Sequence, residues 1–333
     1  MDASWRTFLT ERGATLGEHA GVPACGAFPE TDAATTLADL SHQGVLAVRG
    51  PDAVKFLQGY ITCDVEQLHA GPQEGALCNL QGRMTANFLA LQHDDGVLLR
   101  MHRSLIEPTR ATLAKYIVFS KAKLSDESDR WQRVGIAGAD AARLANECTA
   151  AGDGTEPGAA PVIVLTLAAA ARYEVWLPPA AATDAWDALA RRAPPTSVWH
   201  WEGIDVAAGR AWVTAITAGE YLPQMFNLDA RGAISFTKGC YLGQEIVTRA
   251  QHRGGVKRRL ARGLLDAPGA AIGAAVRQGA QDVGQVVAVG FTPAREALAV
   301  LSLAALRAAS AGAPLQVGDV SFALLNLPYP VDN

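Results

Sequence analysis

The order of predicted strands and helices limits the folds open to this chain more than any other feature. Between residues 45 and 116 a short strand leads into a helix, three strands follow, and a second helix closes the series. Turns at Gln81-Gly82 and at residues 93–96 separate the strands. This order predicts an α+β layer rather than a doubly wound parallel sheet.

Two further segments extend this prediction. Residues 132–192 show the order strand, helix, two strands, helix, which is typical of a ferredoxin-like fragment, with an exposed loop at 150–160. After Arg253-Gly254-Gly255 short strands at 258–265, 284–291, 297–303 and 319–326 predict a small β-barrel. Residues 1–36 show no sustained period and are predicted to form a short helix and a loose arm. Ser104 and Glu107 are spaced as a capping box at the start of a helix over 104–116.

The composition is that of a globular protein. The chain has 333 residues, of which 49% are hydrophobic and 19% charged, and its net charge is −4. Nothing in this balance favours a nucleic-acid or membrane-surface partner. The longest apolar stretch, Pro161–Ala171, is too short to cross a bilayer, and the N-terminus lacks the apolar core of a signal peptide. We therefore expect a cytoplasmic protein, or an organelle protein whose transit peptide is absent.

The five cysteines, at positions 25, 63, 78, 148 and 240, do not suggest a disulfide framework. They are odd in number, widely spaced and without a CxxC pair. No closely spaced set could hold a structural zinc or a cluster alone, so we predict no resident metal.

The segment Phe236–Glu245 carries the most unusual chemistry. Thr237 could cap a helix that holds Cys240 in its first turn, where the helix dipole and Lys238 would both favour the thiolate. In such a helix Cys240 and Gln244 share one face, and Tyr241 and Glu245 share the next. The alternative is a small buried cysteine. The sequence offers no obvious His/Asn partner set for a cysteine protease, which disfavours nucleophilic hydrolysis.

Trp201 and a group of cations complete the candidates. Trp201 heads an apolar stripe at helical spacing, so it is either a core residue or a flat platform for an aromatic ligand. Seven cations lie between Lys238 and Arg262, either on a solvated basic strand or around the tail of an anionic ligand. RNA is disfavoured because Tyr241 is the one aromatic residue among them.

The stretch Lys238–Glu245 matches the hallmark K-G-C-[FY]-x-G-Q-E at every defined position, and the chain thereby resembles the YgfZ family. Other segments that agree in order are 50–59, 82–87, 115–121, 222–228 and 253–258. The likeness covers about residues 36–262, within the wider superfamily of the glycine-cleavage T-protein, an aminomethyltransferase that uses tetrahydrofolate.

The resemblance implies ferredoxin-like layers and a C-terminal barrel arranged as a three-domain ring around a central folate channel. The domains implied are an N-terminal arm at 1–35, a discontinuous folate-binding domain at 36–125 plus 196–253, a second domain at 126–195 and the barrel at 254–333.

The resemblance also implies a set of site residues, with tetrahydrofolate as the cofactor. Trp201 and Gln43 fall at folate-contacting positions, and Arg249 or Arg253 would lie near the glutamate tail. Tyr241, Gln244 and Glu245 would orient the motif or the ligand, and Cys240 with Lys238 would supply a functional thiol.

Aminomethyl transfer is disfavoured. The T-protein carries an acidic pair where this chain has Ala86-Asn87, and a neutral amide cannot act as a carboxylate base. Asn87 is kept as a cofactor-binding candidate.

The function that the resemblance implies is a folate-dependent accessory factor for assembly or repair of iron–sulfur enzymes, with client or cluster-assembly proteins as partners. Two alternatives stay open. One is a folate-dependent one-carbon transferase or demethylase, and the other is a protein linked to RNA modification.

Overall fold

The protein is described by a computed structural model that covers residues 2–28, 33–151, 162–167, 171–292 and 294–331. Its α-helices are α1 (Ala3–Glu11), α2 (Ala53–Gln58), α3 (Ile106–Ala114), α4 (Ala141–Ala151), α5 (Pro179–Ala190), α6 (Val198–Ala207), α7 (Gln244–Arg249) and α8 (Leu303–Ser310). None of the helices in these ranges is long and apolar enough to cross a membrane.

The strands are numbered along the chain. They are β1 (Thr15–His19), β2 (Val22–Ala27), β3 (Thr35–Asp39), β4 (Gln43–Arg49), β5 (Gln73–Cys78), β6 (Met84–His93), β7 (Gly96–His102), β8 (Lys123–Asp126), β9 (Gln132–Gly138), β10 (Ile163–Leu167), β11 (Arg172–Leu177), β12 (Pro195–Thr196), β13 (Arg258–Leu265), β14 (Ala275–Gln278), β15 (Gln281–Thr292), β16 (Ala294–Ser302), β17 (Gln316–Val317) and β18 (Val320–Leu325).

The chain forms two compact units. Unit 1 comprises residues 1–44 and 127–201, and unit 2 comprises 45–126 and 202–333. The predicted four-part division and the ring around a channel stay predictions.

Unit 1 is built on a five-stranded sheet in the order β10-β11-β9-β3-β12. The first four strands are antiparallel neighbours, and β12 pairs with β3 in parallel. Apolar side chains of α1, α4 and α5 pack with the sheet in one core. The predicted order strand, helix, two strands, helix is confirmed, although α5 begins at Pro179 rather than at residue 183. The predicted loop at 150–160 lies almost entirely outside the described residues.

The N-terminal residues belong to this core. Trp5, Phe8 and Leu9 of α1 are buried within it, and β1 and β2 form an antiparallel hairpin. The short helix is therefore confirmed, whereas the prediction of a loose arm after it is wrong for residues 15–27. The hairpin was missed because its strands are short and their small residues give no clear alternation.

Unit 2 contains a second five-stranded sheet in the order β5-β6-β7-β4-β8, with α2 and α3 packed into its core. Four strands and both helices predicted between residues 45 and 116 are confirmed, with shifts of a few residues at their ends. The capping box is wrong. Ser104 lies in a 3-10 turn and its Oγ accepts a hydrogen bond from Ala215 N at 3.1 Å, while Glu107 pairs with Arg110.

The C-terminal β-barrel is confirmed. Six strands close in the order β13-β16-β15-β14-β17-β18 around an apolar interior. The short strands β14 and β17 and the helix α8 were not predicted.

Candidate functional site

Cys240 is exposed and lies in a loop, not in a helix. Helix α7 begins only at Gln244, after Gly243 in the left-handed conformation at φ +80°. A Cβ at Gly243 would lie 2.5 Å from the carbonyl oxygen of Asn79, in the turn between β5 and β6. The predicted helix with Cys240 in its first turn is therefore wrong, and with it the predicted helix dipole at the thiol. Cys240 and Gln244 do not share a helical face.

Lys238 anchors this loop from its N-terminal side. Its Nζ donates to the carbonyl oxygens of Ile61 and Cys63, at 2.8 and 2.7 Å. Burial lowers the pKa of Lys238 to about 8, because the charged ammonium loses hydration. The two hydrogen bonds hold Lys238 against the segment that follows α2. Activation of Cys240 by Lys238 stays a prediction.

The residues after Cys240 anchor the loop from the other side. Tyr241 is buried, and burial raises the pKa of its phenol above the ordinary value. Its backbone N–H donates to Gln244 Oε1 at 3.3 Å, and Leu242 N donates to the carbonyl oxygen of Gly59 at 3.2 Å. Cys240 is thus an exposed thiol on a loop fixed at both ends.

Glu245 and Arg249 form an exposed ion pair at 2.7 Å along α7. With Thr248 and His252 they line an open cleft of about 400 Å³. A role for Glu245, Tyr241 or Gln244 in orienting a ligand stays a prediction, as does a role for Arg249 beside a glutamate tail. The Arg253 side chain lies outside what the structure describes.

The predicted basic stretch is not one continuous surface. Arg259 is buried and pairs with Asp229 at 2.8 Å, and Arg262 pairs with Glu296 at 2.5 Å. These two arginines stabilise the start of the barrel, which removes them from the cations that an anionic ligand or RNA could reach.

Trp201 lies in unit 1, near the start of α6, with 2% of its surface exposed. The Arg172 guanidinium lies over its ring, with the central carbon 3.8 Å from the ring centroid. Gly135 of β9 approaches the same ring so closely that a Cβ there would lie 2.4 Å from Cζ3. Trp201 is thus packed as the core interpretation predicted. Its contact with folate stays a prediction.

Sequence analysis missed the charged residues around Trp201. Arg172 and Glu174 are both fully buried on β11, and Glu174 pairs in register with Gly135. They occupy alternate positions and therefore the same face of the strand. That face would ordinarily meet water. The alternation of charged and apolar residues along β11 was visible in the sequence, but only the packing of Trp201 shows that its charged face is buried.

Gln43 is buried in unit 1 at the start of β4. Its Nε2 lies 3.2 Å from His42 Nε2, and its backbone oxygen accepts a hydrogen bond from Arg133 Nη2 at 2.7 Å. Within the described ranges, no donor reaches Gln43 Oε1. A buried amide oxygen that no protein donor reaches can accept a hydrogen bond from a ligand N–H.

Asn87 has a structural role on β6. Its Nδ2 donates to Ala211 O at 2.8 Å and its Oδ1 accepts from Val213 N at 2.6 Å. Both ends of the amide therefore join β6 to residues 211–213. Its predicted contact with the cofactor stays a prediction.

The other cysteines differ from Cys240 in burial. Burial raises the pKa of Cys25, Cys63 and Cys78 to about 12 and that of half-buried Cys148 to about 11. Among the residues that the structure describes, no group of three or more His, Cys, Asp or Glu side chains could hold a metal ion.

Comparisons with known proteins agree on the family and on the fold. Residues 28–200 match the GCVT N-terminal domain. The tRNA-modifying protein YgfZ of Cronobacter sakazakii is 35% identical over 233 residues, which cover 68% of this chain and 70% of that protein. Its namesake from Escherichia coli O157:H7 is 34% identical over 230 residues, with 68% and 70% coverage.

Among solved structures, the glycine cleavage system aminomethyltransferase T from Bartonella henselae matches with a TM-score of 0.75. The match covers 96% of this chain and 95% of that one, at 18% sequence identity. It confirms the mixed α and β fold.

Proposed function

This chain belongs to the YgfZ family, and we propose that it is a tetrahydrofolate-binding accessory factor for the assembly or repair of iron–sulfur enzymes in the cytoplasm. The observation that supports the proposal most directly is the exposed Cys240 thiol in its anchored loop. The curated relatives are named tRNA-modifying proteins. Iron–sulfur enzymes that modify tRNA are clients that would reconcile that name with the proposed role.

The position of Cys240 suits a thiol that meets another protein. A thiol reacts or ligates as the thiolate, and it must be reachable. Cys25, Cys63 and Cys78 are buried, and burial keeps their thiols protonated. The bonds of Lys238 and Leu242 fix the loop on either side of Cys240, so a partner would find the sulfur in one position.

Tetrahydrofolate fits the polar character of unit 1. Gln43 Oε1 could accept a hydrogen bond from a ring N–H, and Glu174 offers a buried carboxylate for the same purpose. Trp201, with the Arg172 guanidinium over its ring, supplies a buried aromatic group in the same unit. A bound folate would supply a carrier of one-carbon units.

Aminomethyl transfer is disfavoured by Asn87. Both ends of its amide are engaged by backbone groups, and it carries no charge. It can therefore serve neither as a base nor as an electrostatic partner at this place on β6.

The test is complementation of a deletion strain, with the activity of a [4Fe–4S] tRNA-modifying enzyme as one readout and calorimetric titration of tetrahydrofolate as the other. Cys240→Ala is expected to lower the client activity at least tenfold and to leave the heat of folate binding unchanged. Cys148→Ala is the matched control, and we expect wild-type values in both assays. Trp201→Phe keeps an aromatic ring but changes its contact with the Arg172 guanidinium, and we expect it to weaken folate binding.

Full client activity of Cys240→Ala would remove the thiol from the proposal. No saturable binding of tetrahydrofolate by the folded wild-type protein would remove the cofactor. Trp201→Ala is less informative, because deletion of a buried tryptophan costs about 3–5 kcal/mol in stability.

A further inference from the structure

Three large apolar side chains are exposed within one short segment of unit 2. Tyr116 is 39% exposed, Val118 is 71% exposed and Phe119 is fully exposed, at 100%. They lie in and beside a 3-10 turn over Ile117–Phe119 that joins α3 to β8. Leaving this much apolar surface in water is unfavourable, and such patches mark places where another molecule binds.

The segment is held in place by polar bonds and ring contacts. Lys121 N donates to Asp52 Oδ2 at 2.7 Å, and Ser120 N donates to Ile117 O at 2.8 Å. The Tyr116 ring lies against that of Tyr60, with 4.9 Å between the centroids. Val118 and Phe119 are thus presented on a fixed turn, which lowers the entropy cost of binding.

The charged side chains within this segment are all cationic, and the Asp52 carboxylate that accepts from Lys121 N lies outside it. The segment from 115 to 125 contains Lys115, Lys121 and Lys123 and no acidic residue, and all three lysines are exposed. An apolar centre with a cationic rim is complementary to an apolar pocket with an acidic rim.

The turn is linked to the loop that carries Cys240. Leu242 N bonds to Gly59 O, and the next residue, Tyr60, contacts Tyr116. A macromolecule bound at the turn would therefore lie near the exposed thiol.

We propose that Tyr116, Val118 and Phe119 form a docking surface for a client protein that presents an apolar pocket rimmed by Asp or Glu to this turn. This inference rests on the proposed function, since the client is the iron–sulfur protein that Cys240 serves. A protein is favoured over RNA because the exposed set includes the aliphatic Val118, on which no base can stack, whereas Tyr116 and Phe119 alone would also suit stacked bases. Phe119 is the side chain that would enter the pocket.

The test compares Phe119→Asp with Ile216→Asp, a substitution at an exposed apolar residue in a different part of unit 2. Both variants should fold and bind tetrahydrofolate like the wild type, because neither side chain is part of a core. In titrations with a purified [4Fe–4S] enzyme whose activity falls in the deletion strain, Phe119→Asp should weaken binding at least tenfold. Ile216→Asp should bind like the wild type.

A photo-crosslinking amino acid at position 119 identifies the occupant. A crosslink to that same enzyme, absent when the crosslinker is at position 216, would support the proposal. A crosslink to RNA or to a second copy of this chain would overturn it, as would wild-type affinity of Phe119→Asp. If Cys240→Ala keeps full client activity while Phe119→Asp loses binding, the thiol chemistry fails and the docking surface stands.

Discussion

At the scale of single residues, the two glycines that flank Cys240 differ in what they require. Gly243 has φ +80°, and a Cβ there would lie 2.5 Å from Asn79 O. Gly239 is outside the positive-φ region, and a Cβ there would meet no described atom within 4 Å. We expect Gly243→Ala to lower the free energy of unfolding by at least about 1–2 kcal/mol, from backbone strain alone. Gly239→Ala should stay within about 0.5 kcal/mol of the wild type.

Urea denaturation of both variants measures these differences. Client activity should follow the same order, because only Gly243→Ala displaces the loop that positions Cys240. Equal stability of the two variants would mean that the approach of Gly243 to Asn79 does not hold the loop in solution.

The motif around Cys240 could be found in the sequence, but its conformation could not. Lys238 and Cys240 were identified from residue types and spacing. The helix proposed for them was wrong because the backbone at Gly243 meets Asn79, a residue 164 positions earlier. A contact between residues so far apart in the chain leaves no local periodicity in the sequence.

At the scale of elements, Asn87 joins strand β6 to the segment 211–213. Asn87→Asp keeps the acceptor for Val213 N but sets a carboxylate oxygen against the carbonyl oxygen of Ala211. We expect a loss of about 1–3 kcal/mol in the free energy of unfolding at pH 7, because a hydrogen bond is replaced by repulsion. No aminomethyltransferase activity should appear, although the substitution introduces an acidic group.

The pH dependence of the stability of Asn87→Asp tests this account. The carbonyl of Ala211 should raise the pKa of the new carboxyl in the folded state above its unfolded value. The difference in the free energy of unfolding between Asn87→Asp and the wild type should then shrink as pH falls through that folded pKa, since the protonated acid can donate to Ala211 O. A difference that is unchanged between pH 4 and 7 would contradict this account.

Long elements with a clear apolar pattern were predicted well, and short ones were not. Strands β6 and β13 were found from local alternation and turn residues, whereas two-residue strands such as β17 exist only through their partners. The cap predicted at Ser104 failed because its hydroxyl accepts from Ala215, which is distant in sequence.

At the scale of the whole molecule, the family and the fold could be predicted, but the surroundings of the candidate residues could not. Trp201 was named, yet Arg172 and Gly135, which cover its ring, come from the strands β11 and β9. Only the register of β9 and β11 brings them together. Gln43 was also named, but its amide oxygen became informative only once its burial was known.

Substitutions in the N-terminal segment test whether α1 contributes to the stability of unit 1. Trp5 Nε1 donates to Asp39 Oδ1 at 2.9 Å, and its ring contacts Trp186 edge-on at 5.6 Å between centroids. We expect Trp5→Ala to lower the free energy of unfolding by about 3–5 kcal/mol, since it leaves a cavity in the core. Trp5→Phe should cost less, because it keeps an aromatic ring and loses mainly the hydrogen bond to Asp39. Arg6→Ala, on the exposed side of α1, should be nearly neutral.

Urea denaturation followed by circular dichroism would rank the three variants. The order Arg6→Ala, Trp5→Phe, Trp5→Ala, from least to most destabilised, would show that α1 is an integral part of the core of unit 1. Equal stability of all three would instead mean that α1 is not part of the core of unit 1. In that case the buried bond between Trp5 and Asp39 would contribute nothing measurable, and the compact unit would begin after α1.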